Sequence, residues 1–156
     1  MKWSFAKIVS GGQTGVDRAA LDVALEFGLL CGGWCPKGRS AEDGSLPSRY
    51  PLEETPSDEY VQRTEWNVRD SDGTLVLTRG EPTGGTAQTI EIAVRLGKPC
   101  LVVDLAKQPS ESVVLNWARQ HSVRVLNVAG PRESKSPGIY RAASRFLRKL
   151  LRLLEG

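Results

Sequence analysis

"KIVSGGQTGVDRAALD", residues 7–22, joins a short apolar run to a helical pattern through a turn that carries Gly11, Gly12 and Gly15. Residues 5–10 read as a strand. From Gly15 to Phe27 the period changes, with Ala20, Leu21, Ala24 and Leu25 on one helical stripe and Gly28 in place as a terminator. Thr14, with Asp17 three places on, reads as a variant of the capping box. Strand, turn and helix make the first half of a βα unit. Each glycine lowers the stability of regular structure by roughly 0.5–1 kcal/mol relative to alanine, so this backbone must bend sharply or lie close to something.

The same alternation continues along the chain. Residues 29–35 read as a second strand. Residues 36–56 hold four prolines and no periodicity, which suits either a lid or binding loop or a solvated insertion. Ser57 is placed to cap a helix running to Asp70, with Asp58 and Glu59 in its first turn favouring the helix dipole. Strands follow at 73–78, 99–104 and 123–128, and helices at 85–96, 110–120 and 138–154. The near-continuous apolar strands suit a sheet covered on both faces. The pattern predicts a single Rossmann-like α/β domain over residues 1–156, with a mostly parallel sheet of at least five strands and helices on both faces. In the last helix Ile139, Ala143, Phe146, Leu147, Leu150 and Leu154 form an apolar stripe, and Arg141, Arg145, Arg148 and Arg152 form a basic one. That basic stripe suits the wet face of a packed helix better than a phosphate backbone.

Composition excludes several function classes. The net charge of +3 is too small to indicate a nucleic-acid partner. No apolar run approaches a membrane span, and "MKWSFAKIVSGG" lacks the apolar core of a secretory signal, so a cytoplasmic location is expected. Cys31, Cys35 and Cys100 form no Cys-x-x-Cys pair and read as buried strand thiols. His121, the single histidine, lies far from them in sequence. A metal centre of protein ligands and a Ser-His-Asp triad both lack support. Oligomeric state is open, and a homo-oligomer is compatible with the sequence.

Ligands of open parallel sheets bind beyond the carboxyl ends of the strands. Three segments at those ends share one character. "SGGQTGVD" delivers the chain to a helix N-terminus, where free N–H groups and the dipole favour an anion. It is neither Gly-x-Gly-x-x-Gly nor a Walker loop. "LVLTRGEPTGGTAQTIE", residues 75–91, enters a second Gly-Gly turn with Thr83 and Thr86 beside it. "LNVAGPRES", residues 126–134, ends a strand in Gly130-Pro131 followed by Arg132, Glu133 and Ser134, and arginine suits bidentate contact with phosphate. Three such turns on one edge point to a small phosphate-bearing ligand, with the opening glycines as its cradle.

"GGQTGVDRAALD", "GWCPKGRSAEDG", "RTEWNVRDSDGTL" and "NVAGPRES" together resemble the molybdenum-cofactor carrier proteins, over about residues 8–145. Those belong to a Rossmann-like superfamily that also holds the lysine-decarboxylase-like LOG proteins and DNA-processing proteins. The resemblance implies molybdenum cofactor as ligand, a purine nucleotide as runner-up, and molybdoenzymes as recipients. It implies a phosphate site drawn from Gly11, Gly12, Gln13, Thr14, Gly15, Gly84, Gly85 and Thr86, with Arg132, Glu133 and Ser134 of "GPRES" nearby. Lys37 and Arg39 of "PKGR" would add positive charge, or else are solvated loop cations. No protein metal ligand is required, because the cofactor's own dithiolene sulfurs hold its metal. The LOG enzymes, which cleave nucleoside monophosphates at the N-glycosidic bond, carry Pro-Gly-Gly-x-Gly-Thr-x-x-Glu. Here the aligned residues are Thr83 to Glu91. Gly84, Gly85 and Glu91 match, while Thr83, Ala87 and Gln88 replace the proline, third glycine and threonine. The expectation is therefore a binding protein without catalysis. The alternative is a hydrolase with Glu91 as acid/base group, and Glu91 reads equally well as a helix-surface carboxylate.

Overall fold

A computed structural model describes residues 3–155. Its main sheet contains β1 (Lys7–Val9), β2 (Cys31–Gly32), β7 (Gly73–Thr78), β8 (Cys100–Asp104) and β9 (Val125–Ala129), in the order β2-β1-β9-β7-β8. Every pairing in it is parallel. The helices are α1 (Val16–Glu26), α2 (Tyr60–Arg69), α3 (Gly84–Arg95), α4 (Glu111–Gln120) and α5 (Ile139–Glu155). This is the expected Rossmann-like α/β fold.

Side chains alternate across the sheet. Ile8, Leu75, Leu77, Leu126 and Val128 join the large core cluster with α1, α4 and α5. The expected apolar stripe of α5 supplies Ile139, Ala143, Phe146, Leu147 and Leu150 to that cluster, each 5% exposed or less. Burying one such large side chain stabilises the fold by roughly 1.5–3 kcal/mol. The second cluster is small: Val68 of α2 packs with Ile92 and Ala93 of α3. Buried polar groups accompany it in the sheet, where the Asn127 amide donates to Thr74 Oγ1 at 3.2 Å.

The expected strand 29–35 is broken in two. Gly33 sits at φ +126°, and a Cβ there would lie 2.5 Å from the Ser10 carbonyl oxygen. Asn67 of α2 then holds both backbone groups of Trp34, accepting at 2.8 Å and donating at 3.0 Å. The chain leaves the main sheet as β3 (Trp34–Cys35), which pairs in parallel with β6 (Glu53–Glu54). Between them β4 (Ser40–Ala41) and β5 (Gly44–Ser45) form a small hairpin. Leu46, Tyr50 and Leu52 of the 36–56 segment are buried. The rest of the segment is mostly exposed, so it is a cover anchored by these three side chains.

Two helix starts also differ from expectation. Gly15, at φ +78°, is the N-cap of α1, so Thr14 does not cap it, and the Asp17 carboxylate accepts from the Gln13 N–H instead. α2 begins three residues after Ser57, whose hydroxyl is taken up locally by the Glu59 N–H. Gly28 terminates α1 as expected: it lies at φ +67°, and the following Leu29 N–H closes on Ala24.

Candidate functional site

The chain leaves β1, β7 and β9 at one edge, where a cleft of about 310 Å3 opens. Its walls come from four places: Gln13 and Asp17 after β1, Thr78, Arg79 and Glu81 at the end of β7, Ala129 to Arg132 at the end of β9, and Tyr60, Arg63 and Thr64 on α2. The start of α3 and the Lys135–Ser136 pair complete it. All three expected turns therefore reach one space. Arg63, Arg79, Arg132 and Lys135 outnumber the carboxylates Asp17 and Glu81 there.

The α3 start is open. Thr83 is the N-cap without a capping side chain, and among the described residues no acceptor takes the Gly84 or Gly85 N–H. Gly84 lies in the left-handed region at φ +53°, and a Cβ on it would come 2.8 Å from Lys135 Nζ. A Cβ on Gly85 would meet nothing within 4 Å. Two free N–H groups, a helix dipole and an ammonium thus share one corner, which is a setting for an oxyanion. Among the described residues no group of His, Cys, Asp and Glu is arranged to hold a metal ion.

The opening glycines do a different job from the cradle expected of them. The Gly11 Cβ position lies 1.8 Å from Arg63 Nη1, that of Gly12 2.6 Å from Leu52, and that of Gly15 2.3 Å from the Pro131 carbonyl oxygen. Each makes room for the protein itself. Gly11 admits Arg63, whose Nη1 donates to the buried Asp17 carboxylate at 3.0 Å. Burial pushes Asp17 up from the ordinary carboxylate range, against the pull of Arg63 and the Gln13 N–H. Of residues 11–15, Gln13 alone lines the cleft.

The remaining expected residues divide. Gly85, Thr86 and Arg132 line the cleft. Arg132 faces Glu42 of the hairpin at 3.7 Å, not its neighbour Glu133. Glu42 also accepts from the Thr14 hydroxyl and, at 2.5 Å, from the Ser134 hydroxyl. Desolvation works to raise Glu42, but these hydrogen bonds and Arg132 hold it below its usual value. Glu133 caps the start of α5, accepting from the Gly138 and Tyr140 N–H groups at 2.6 and 3.0 Å. It lines a second, more open concavity in which both Asp22 oxygens accept tyrosine hydroxyls, from Tyr50 and Tyr140, each at 2.5 Å. Burial and Asp22 push Tyr140 up to about 12.

Lys37 is exposed and Arg39 spends its guanidinium on the carbonyls of Leu52, Pro47 and Tyr50, so neither reaches the cleft. Glu91 is exposed on α3, also outside it. Conversely, Tyr60, Arg63, Arg79 and Lys135 line the cleft without having been singled out in the sequence. Lys135 follows "GPRES" directly, and Arg63 opens "RTEWNVRDSDGTL". The sequence gives no placement for α2, however, because nothing local tells which sheet edge it will flank.

The model of the circularly permutated YpsA SLOG family matches residues 8–151. A crystal structure from Syntrophus aciditrophicus SB, described as a "putative molybdenum carrier protein", is 46% identical. It superposes with a TM-score of 0.93 over 97% of this chain and 98% of that one. No curated protein matches the chain.

Proposed function

The chain belongs to the circularly permutated YpsA SLOG family, and from that premise we propose that it is a carrier. It would hold a phosphate-bearing small molecule, molybdenum cofactor first and a purine nucleotide next, without turning it over. The observation that carries this reading is the corner where Lys135 Nζ closes on Gly84 beside two free N–H groups, with Arg79 and Arg132 in the same cleft. Such a corner matches the pterin's terminal phosphate, and the molybdenum is left to the pterin's own sulfurs. The name carried by the similar crystal structure supports the choice of cofactor. A cytoplasmic location and delivery to molybdoenzymes belong to the same reading.

Native mass spectrometry with metal analysis, on protein purified from its own host, tests it. A co-purifying pterin with molybdenum is the expected result, and a nucleotide would favour the runner-up. Titration calorimetry in which no phosphate-bearing ligand binds would overturn both. Hydrolysis is disfavoured by the position of Glu91 outside the cleft. Nucleoside monophosphates should therefore release no free base; release that Glu91→Gln abolishes would make the protein an enzyme.

A further inference from the structure

The cleft also has an aromatic wall, Tyr60, that contact with a phosphate leaves unexplained. Tyr60 opens α2 and is 39% exposed, although it lines a largely polar cleft. Its ring has the Arg63 guanidinium at 5.4 Å from its centroid, within range of a cation–π contact. That guanidinium is fixed in turn by Asp17 at 3.0 Å, in the space left by the missing Gly11 side chain. The first turn of α2 is also tied down. The Thr64 hydroxyl donates to the Tyr60 carbonyl at 3.0 Å, and Gln62 accepts from the Ser57 N–H at 2.7 Å. The backbone that carries the ring is thus fixed and its face is set against Arg63, which reduces the freedom left to lose when a second ring stacks on it. Thr64 and Gln88 line the same cleft and offer a hydroxyl and an amide, donors and acceptors suited to a nitrogen-rich ring edge.

We infer that Tyr60, positioned by the Arg63–Asp17 pair, is a stacking platform that selects ligands carrying a flat, nitrogen-rich ring next to their phosphate. This rests on the reading of the cleft as a phosphate site and adds what distinguishes one phosphate from another. Ring stacking on an aromatic side chain is worth about 1–3 kcal/mol by alanine substitution, or roughly 5- to 150-fold in affinity.

Titration calorimetry with neopterin monophosphate, guanosine 5′-monophosphate and ribose 5-phosphate tests the inference on the whole chain. The wild-type protein should bind at least one of the two ring-bearing phosphates more tightly than ribose 5-phosphate. Tyr60→Ala should weaken that ring-bearing ligand about tenfold and leave ribose 5-phosphate unchanged, while Tyr60→Phe should restore the preference. Thermal unfolding of each variant verifies that the fold is intact. Equal affinity of the wild-type protein for all three probes would overturn the inference and leave the phosphate site standing. So would a Tyr60→Ala effect that is absent or the same for every probe. Failure of the wild-type protein to bind any probe would overturn the phosphate reading and this inference together.

Discussion

Two kinds of glycine line the turns at this sheet edge, and substitution separates them. Gly15 is held at φ +78° with the Pro131 carbonyl oxygen 2.3 Å from where a Cβ would stand. Gly15→Ala therefore meets a backbone penalty of roughly 1–2 kcal/mol and a clash with another backbone besides. At roughly 2–4 °C per kcal/mol for a chain of this size, the thermal midpoint should fall by at least about 4 °C. Gly85→Ala meets open space, so stability should stay within about 0.5 kcal/mol. Its methyl group enters the cleft beside a free N–H, and affinity for a phosphate-bearing ligand should drop roughly tenfold by calorimetry. Arg132→Ala should weaken that ligand about ten- to a hundredfold. Its partly exposed pair with Glu42 adds at most about 1 kcal/mol to stability. Lys37→Ala, outside the cleft, should leave affinity unchanged. The glycine clusters were legible in the sequence; their division of labour was not, because it depends on which distant atom fills the missing Cβ position. Arg63, 52 residues beyond Gly11, is one such atom's owner.

At the scale of elements, the β4–β5 hairpin acts as a strap across two strand ends. Arg18 grips Asp43 through both terminal nitrogens, at 3.0 and 3.1 Å, while Glu42 ties the hairpin to Thr14 and Ser134. Glu42 lies below its ordinary value of 4.5 in the folded protein, so the folded state binds its proton more weakly than the unfolded chain. Its stabilising contribution is complete above pH 4.5 and is lost as pH falls through the depressed value. Glu42→Ala should lower stability by roughly 1–2 kcal/mol at neutral pH. The deficit relative to wild type should shrink in acid, as chemical denaturation at pH 7 and below pH 4 would measure. None of this strap could be read from residues 36–56 alone. Its prolines and lack of period mark irregular backbone, but its anchors outside the segment, Tyr50 on Asp22 and Asp43 on Arg18, are tertiary. The long apolar strands and amphipathic helices were legible because each carries its own period.

For the whole molecule, the cleft lies where the order β2-β1-β9-β7-β8 changes direction, with β9 between β1 and β7. A ligand that binds there touches both halves of the sheet and binds the folded state alone. At about 100 times its dissociation constant it should add roughly 2.7 kcal/mol of stability, raising the thermal midpoint by about 5–11 °C. Differential scanning calorimetry with and without guanosine 5′-monophosphate or neopterin monophosphate measures this. The sequence carried the main-sheet strands but not their order, since the apolar runs of β1, β7, β8 and β9 each suit a central place. The central place of β9 also dictates how the chain can be born. β1 has no hydrogen-bonded contact with β7 except through β9, which pairs Lys7 with Val125 and Gly73 with Leu126. On the ribosome, then, nothing can join the β1–β2 pair to the β7–β8 pair until Val125–Ala129 emerges, and the edges that await it stay open. Such a polypeptide should become resistant to protease in one late step, once that strand and the core helix α5 behind it have cleared the exit tunnel, and should draw on chaperones until then.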